Sequence, residues 1–242
     1  MSNNFAKYQY DALRIQKNNP IGKWRQLYIK LLKELSYDSI LEIGAGSPEF
    51  LINSGIKRKV AIDYGSKFRE EFEKNKIDLI QLDLNHEDFN NKIIGKYDIV
   101  VCSDVFEHLI SPKKTLEMIK KNINDDGILL SHVPNEFRIR NMLNIMFRGR
   151  TSQIFHPWKK EYDDPHVRRF TKTGYKEFLS LEFSFNLYLS DIKYESLARI
   201  FKFLRLKVPY TLEPGPTFLS TNNKKTYENF LLIKEKIIAD ER

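Results

Sequence analysis

Five short apolar runs, at residues 39–43, 59–63, 78–83, 97–102 and 127–133, are separated by polar stretches long enough for helices. Strands that alternate with helices predict a parallel sheet with right-handed crossovers. The spacer that opens at Ser111-Pro112 reads as one such helix. It has serine at the cap and proline in the first turn, and it turns Leu116, Ile119 and Ile123 inward. Ahead of the first run, residues 23–35 (KWRQLYIKLLKEL) put Trp24, Leu27, Tyr28, Leu31, Leu32 and Leu35 on one helical stripe. After Val133 the alternation stops. Residues 135–147 read as a helix, 148–170 as an irregular basic segment, 171–181 as a helix and 183–190 as a strand. A basic amphipathic helix is expected at 195–206, then a segment with three prolines at 207–220, then a last strand at 227–234. The expected fold is α/β: a doubly wound, seven-stranded, mostly parallel sheet in one domain spanning 1–242. It carries an insertion after the fifth strand and a lid between the last two.

Composition excludes several alternatives. With 41% hydrophobic and 30% charged residues among 242, the chain has ample material for a core and is not a disordered sequence. No apolar run reaches the roughly 18–20 residues of a membrane span. The opening MSNNFAKYQY has no apolar signal segment, so a cytoplasmic location is expected. One cysteine excludes a disulfide framework or a cysteine metal cage. The net charge of +8 is local. Residues 138–176 hold 10 Lys/Arg against 3 Asp/Glu, whereas residues 1–137 are balanced at 20 each. That concentration suits an anionic partner, or else a solvated basic loop.

The first strand ends in LEIGAGSPEF, which sets Glu42, Gly44 and Gly46 at a strand-to-helix turn. Glycines there accept positive φ and let a ligand approach the backbone. The second strand ends in VAIDYG, and a carboxylate at Asp63 suits two ribose hydroxyls. A dinucleotide would want G-x-G-x-x-G, yet the sixth position is Glu49, which would repel a pyrophosphate. S-adenosyl-L-methionine (SAM) has no phosphate and carries a cationic sulfonium, so acidic residues beside the turn are acceptable.

The further strand ends LIQLDLNH, YDIVVCSDVFEHL and GILLSHVPN complete an ordered set. Together these motifs resemble the class I SAM-dependent methyltransferases, in particular the small-molecule branch with a Glu-His pair after strand four. The resemblance covers residues 37–135 closely and extends more loosely through Tyr175. Pro48 departs from it, standing where the family commonly has a third small residue or glycine.

The resemblance implies a Rossmann-like methyltransferase fold: N-terminal helices over 1–36, a SAM-binding core over 37–134, and substrate-covering insertions over 135–170 and 191–220. It places Glu42, Gly44, Ala45 and Gly46 beside the methionine part, Asp63 on the ribose, and Asp83 with the Leu84 backbone on the adenine edge. Ser103 and Asp104 would line the cofactor near the reactive methyl. The chemistry it implies is in-line methyl transfer from sulfur to a nucleophile, for which no metal is required.

A hydroxyl acceptor gains from a general base, and histidine is the residue for that at neutral pH. His108 follows Glu107 at the sheet's carboxyl edge and reads as a catalyst or as an anchor of the helix start. His166, in DPHVRRF, sits where the family often has a histidine reaching into the pocket. His86 and His132 read as structural or surface residues, and His156, in FHPW, as loop packing. Arg138, Arg140, Arg148, Arg150, Arg168 and Arg169 belong to the basic insertion, with Arg138, Arg168 and Arg169 as the candidates for binding substrate. Guanidinium forks suit a phosphorylated, nucleotide-linked or carboxylated small-molecule acceptor; the alternative is ordinary helix-surface charge. Trp24, Trp158 and Tyr162 read as stacking or packing residues.

O-methylation of such a metabolite, with a surface-glycan precursor as one setting, is the expected activity. RNA methylation is the rival. However, Ser103-Asp104-Val105-Phe106 lacks the Asn/Asp-Pro-Pro-aromatic tetrad of enzymes that methylate base amines, so no stable nucleic acid partner is expected. A catalytically inactive binding protein and a membrane-surface foot at residues 196–207 are further alternatives. The oligomeric state is not readable.

Overall fold

The computed structural model describes residues 22–86, 95–149, 155–156, 161–162, 166–192, 201, 204 and 206–240. The helices expected ahead of residue 22, Trp158, Arg150, most of the 195–206 helix and the side chains of His156 and Tyr162 lie outside the described residues.

Helix α1 (Lys23–Lys33) leads into β1 (Ser39–Ile43), α2 (Glu49–Asn53), β2 (Arg58–Asp63), α3 (Arg69–Lys74), β3 (Asp78–Gln81) and β4 (Tyr97–Ser103). Helix α4 (Pro112–Asn122) passes directly into β5 (Ile123–His132). Among the described residues, with β8 at Phe185–Tyr188 and β9 at Thr217–Thr221, the sheet has seven strands in the order β3-β2-β1-β4-β5-β9-β8. The first five pair in parallel. β9 (Thr217–Thr221) runs antiparallel to both β5 and β8 (Phe185–Tyr188). The mostly parallel, doubly wound expectation holds.

Strand alternation divides the core in two. Leu41, Val100, Cys102 and Leu129 face a layer that holds Leu116 and Ile119 of α4 and Tyr175 and Leu179 of α6 (Lys172–Leu179). Ile40, Val101, Ile128 and Leu130 face α1 (Leu27, Tyr28, Leu31), Phe50 of α2, Phe72 of α3 and Phe230 of α7 (Lys224–Asp240). The caps are unequal. Ser111 occupies the cap position of α4 but makes no side-chain capping bond. Thr171 does cap α6, its Oγ1 accepting from Gly174 N at 3.1 Å. Thr171→Ala should therefore cost about 1 kcal/mol, and thermal unfolding should fall by about 2–4 °C.

One expectation is overturned. Residues 227–234 are not the last strand; they lie inside α7. Tyr227, Phe230, Leu231, Ile233, Ile237 and Ile238 all meet the same core layer, a spacing of three and four that only a helix provides, while Leu232 is exposed. The last strand is TFLST, buried at every position, directly after Pro214 and Pro216. It was hidden in the proline-bearing segment because five residues are too few to show a period.

After β5 comes α5 (Ile139–Arg148), none of whose residues is buried, and then a two-stranded pair, β6 (Phe155–His156) with β7 (Glu161–Tyr162). Among the described residues no helix is long and apolar enough to cross a membrane.

Candidate active site

β1 lies between β2 and β4, and the chain winds outward from it in both directions. The crevice beyond the carboxyl ends of β1 and β4 is where such a sheet takes a ligand. Gly44 and Gly46 there have φ of +67° and +66°. A Cβ on Gly44 would stand 2.4 Å from Val105 Cγ2, so the turn is possible only with glycine. Asp63, buried at the end of β2, accepts from Gly46 N (2.6 Å) through one oxygen and from Gly65 N (2.8 Å) through the other. Held in this way, the carboxylate stands fixed at the strand end, a position and group suited to ribose hydroxyls. Glu42 is also buried, with Arg25 Nη2 2.9 Å away. The crevice is thus glycine-lined and acidic. It fits a ribose and a sulfonium, and it would repel a pyrophosphate, so the residues present fit SAM.

The other expected cofactor residues sit along the same edge. Asp83 Oδ1 accepts from Asn85 N at 2.9 Å, and Asn85 Oδ1 accepts from Ile110 N at 2.8 Å, which joins the loops after β3 and β4. Leu84 packs against the first core layer. Ser103 is buried at the end of β4. Asp104 follows with φ of +57°, a left-handed conformation rare outside glycine, asparagine and aspartate.

Three residues of α1 reach this crevice, and only the fold brings them there. Tyr28 OH is 3.5 Å from Ser103 Oγ, and burial pushes its phenol well above the usual range. Arg25, besides facing Glu42, donates to Ala45 O at 3.4 Å. Trp24 stacks on His132, ring centroids 5.2 Å apart. Arg25 carried no signal in the sequence, since it lies off the apolar stripe.

His132 is a packing residue, as expected. Its Nδ1 lies 2.9 Å from Thr217 Oγ1, and Asp104 Oδ1 is 3.6 Å from Nε2. Burial lowers its pKa, against a smaller opposing pull from Asp104. The depressed value means the unfolded chain takes a proton that the folded ring resists. This contribution to stability is complete above about pH 6.5 and is lost as pH falls below it. In denaturant titrations from pH 7.5 to 5, His132→Gln should flatten part of the wild-type loss.

The two catalytic candidates meet. His108 lies in a 3-10 turn, Phe106–His108, that begins three residues after β4. Its ring centroid is 4.9 Å from that of His166. His166 Nδ1 donates to Glu136 Oε1 at 2.5 Å. Glu136 was not foreseen: it stands thirty residues earlier, and no local motif connects the two. Glu107 is buried beside His108, its Oε1 3.9 Å from His108 Nε2. His86 is exposed on the turn after β3.

The arginines part company. Arg168 clamps the chain. Its Nε donates to Leu109 O at 3.0 Å, its Nη2 to Ile110 O, and its backbone N to Glu107 O at 3.0 Å. Two of its five guanidinium N–H groups are engaged by these carbonyls, and the residue is exposed. Arg169 is exposed, and Arg138 is half-buried at the start of α5.

A family model described as a methyltransferase domain matches residues 15–181. No curated protein sequence matches the chain. Solved structures share the fold. An S-adenosylmethionine-dependent methyltransferase from Clostridium acetobutylicum aligns with TM-score 0.57 at 17% identity, over 90% of this chain and 98% of its own. The N-methyltransferase NodS from Bradyrhizobium japonicum, in complex with S-adenosyl-L-homocysteine, aligns with TM-score 0.54 at 12% identity, over 91% and 100%. The plantazolicin methyltransferase BpumL aligns with TM-score 0.57 at 15% identity, over 91% and 90%. The family match spans more than half of the chain, and the glycine turn, Asp63 and the sheet order agree with it: this chain belongs to the methyltransferase-domain family and is a class I SAM-dependent methyltransferase.

Proposed function

We propose that the enzyme methylates an oxygen of a small anionic metabolite. The observation that carries this reading is the meeting of His108 and His166, from two separate segments, just beyond the Ser103-Asp104 end of β4. Bound SAM supplies an electrophilic methyl on sulfur, and the protein's task is to align an acceptor with it and loosen the acceptor's proton. Glu42, Gly44, Ala45 and Gly46 border the methionine part, Asp63 the ribose, Asp83 and Leu84 the adenine edge, and Ser103 and Asp104 the methyl. The histidine pair activates the acceptor hydroxyl. The basic insertion supplies the charge, with Arg169 and Arg138 as its substrate contacts and Arg168 as the residue that holds the loop.

The test is calorimetry with SAM, then label transfer from methyl-labelled SAM to phosphorylated, nucleotide-linked, carboxylated and neutral hydroxyl compounds, with RNA as a separate arm. Anionic small acceptors should lead; preference for neutral compounds or RNA would overturn the substrate assignment. His166→Ala should lower kcat about 10²–10⁴-fold with SAM affinity unchanged. Arg169→Ala should raise acceptor KM about tenfold, the lower end for a charge-assisted bond.

A further inference from the structure

The geometry points to a divalent-cation site formed by Glu107, His108 and His166. It rests on the methyl-transfer reading above and says how the two histidines act in it. One carboxylate oxygen and one nitrogen from each ring lie within 4.8 Å of one another. Tetrahedral donors on one ion stand about 3.3–3.6 Å apart at bond lengths of about 2.0–2.2 Å, so the widest separation closes by up to about 1.5 Å when an ion binds, a movement that side-chain rotation supplies. Glu107 Oε1 and His108 Nε2 are 3.9 Å apart, too far for a hydrogen bond and suitable for sharing an ion.

The supports are stiff. Glu107 is almost wholly buried, and His108 N donates to Val105 O at 3.0 Å within the same turn. The His166 segment is fastened to that turn by the Arg168 bonds to the carbonyls of Glu107, Leu109 and Ile110. Glu136 accepts the Nδ1 proton of His166, leaving Nε2 as the basic nitrogen. A carboxylate in this position fixes both tautomer and ring orientation, as it does for histidines that bind metals.

Two imidazoles and one carboxylate suit Zn²⁺, Fe²⁺, Co²⁺ or Mn²⁺ rather than Ca²⁺ or Mg²⁺, which take oxygen ligands. Three protein donors leave coordination positions open. An acceptor hydroxyl bound there is acidified and gives its proton to water. Its O–C bond then forms as the S–CH₃ bond breaks, S-adenosylhomocysteine leaves, and the ion is unchanged. The acceptor class is correspondingly narrower: a hydroxyl with a second oxygen on the adjacent carbon, able to occupy two open positions.

The experiment takes untagged full-length protein, strips it with a chelator, dialyses it and titrates it with Co²⁺ alone, reading visible d–d absorption. One equivalent should bind. His108→Ala and His166→Ala should each weaken Co²⁺ binding more than about 100-fold, and Glu136→Gln about 10–100-fold. SAM affinity of the metal-free proteins, by calorimetry, should be unchanged and also reports that the variants are folded. Absence of stoichiometric Co²⁺ binding, or binding that survives both histidine variants, overturns the site. If SAM fails to bind the wild type while Co²⁺ binds as expected, the methyl-transfer reading falls and the ion site stands.

Discussion

Asp63→Ala should weaken SAM binding about 100-fold or more and lower folding stability by about 2–4 kcal/mol. Both effects come from one carboxylate. Its oxygens accept from Gly46 N and Gly65 N in a buried position, so truncation leaves two amide donors without their acceptor. Bonds to a charged group contribute about 1.5–3 kcal/mol each, with solvent entry through the crevice offsetting part of the loss. The Gly46 bond also fixes the glycine turn against β2, so its loss disorders the turn proposed to receive the methionine part and removes the proposed ribose contact. Asp63→Asn should share the binding defect, because one oxygen becomes an NH₂ group that faces an amide. Calorimetry with SAM and chemical denaturation measure the two effects, and wild-type affinity in either variant would refute the assignment of Asp63.

Gly44→Ala should be of similar size. The added Cβ would stand 2.4 Å from Val105 Cγ2, and φ of +67° is itself unfavourable for alanine. Strain of this kind costs about 2–4 kcal/mol in total, of which the backbone accounts for about 1–2. The melting temperature should fall by about 5–15 °C, and SAM binding should be lost as the turn shifts. The partner makes the cause testable. In Gly44→Ala/Val105→Ala the collision is gone, so the pair should recover at least about 1 kcal/mol relative to the sum of the single effects. Strict additivity would mean that the backbone conformation alone is responsible.

The legibility of the site follows distance along the chain. Asp63 and the two glycines belong to local motifs at strand ends, and a parallel sheet brings strand ends together whatever else the fold does. Sequence alone therefore assembles Gly44, Gly46 and Asp63 correctly. His108 and His166 were visible only as separate candidates. Their meeting is supported by Arg168, whose guanidinium donates to the carbonyls of Leu109 and Ile110, bonds that no local pattern announces. Glu136 and Arg25 gave no signal, because a carboxylate or guanidinium on the edge of an element looks like any solvated charge until the element it faces is known. The misread last strand has the same origin. Residues 227–234 are apolar enough for either period, and the contacts of Tyr227, Phe230 and Ile237 with the sheet decide for the helix.

The alternation of short apolar runs with helix-length spacers was enough for the doubly wound sheet, and the ordered strand-end motifs, through their resemblance to a known family, pointed to its cofactor. Those properties arise from local periodicity and from backbone conformations that few residues tolerate. The tertiary structure decided which face of α1 closes the crevice, which strand completes the sheet, and that Glu107, His108, His166 and Glu136 form one cluster. Such pairings join residues distant along the chain through packing and hydrogen bonds whose partners no local pattern encodes.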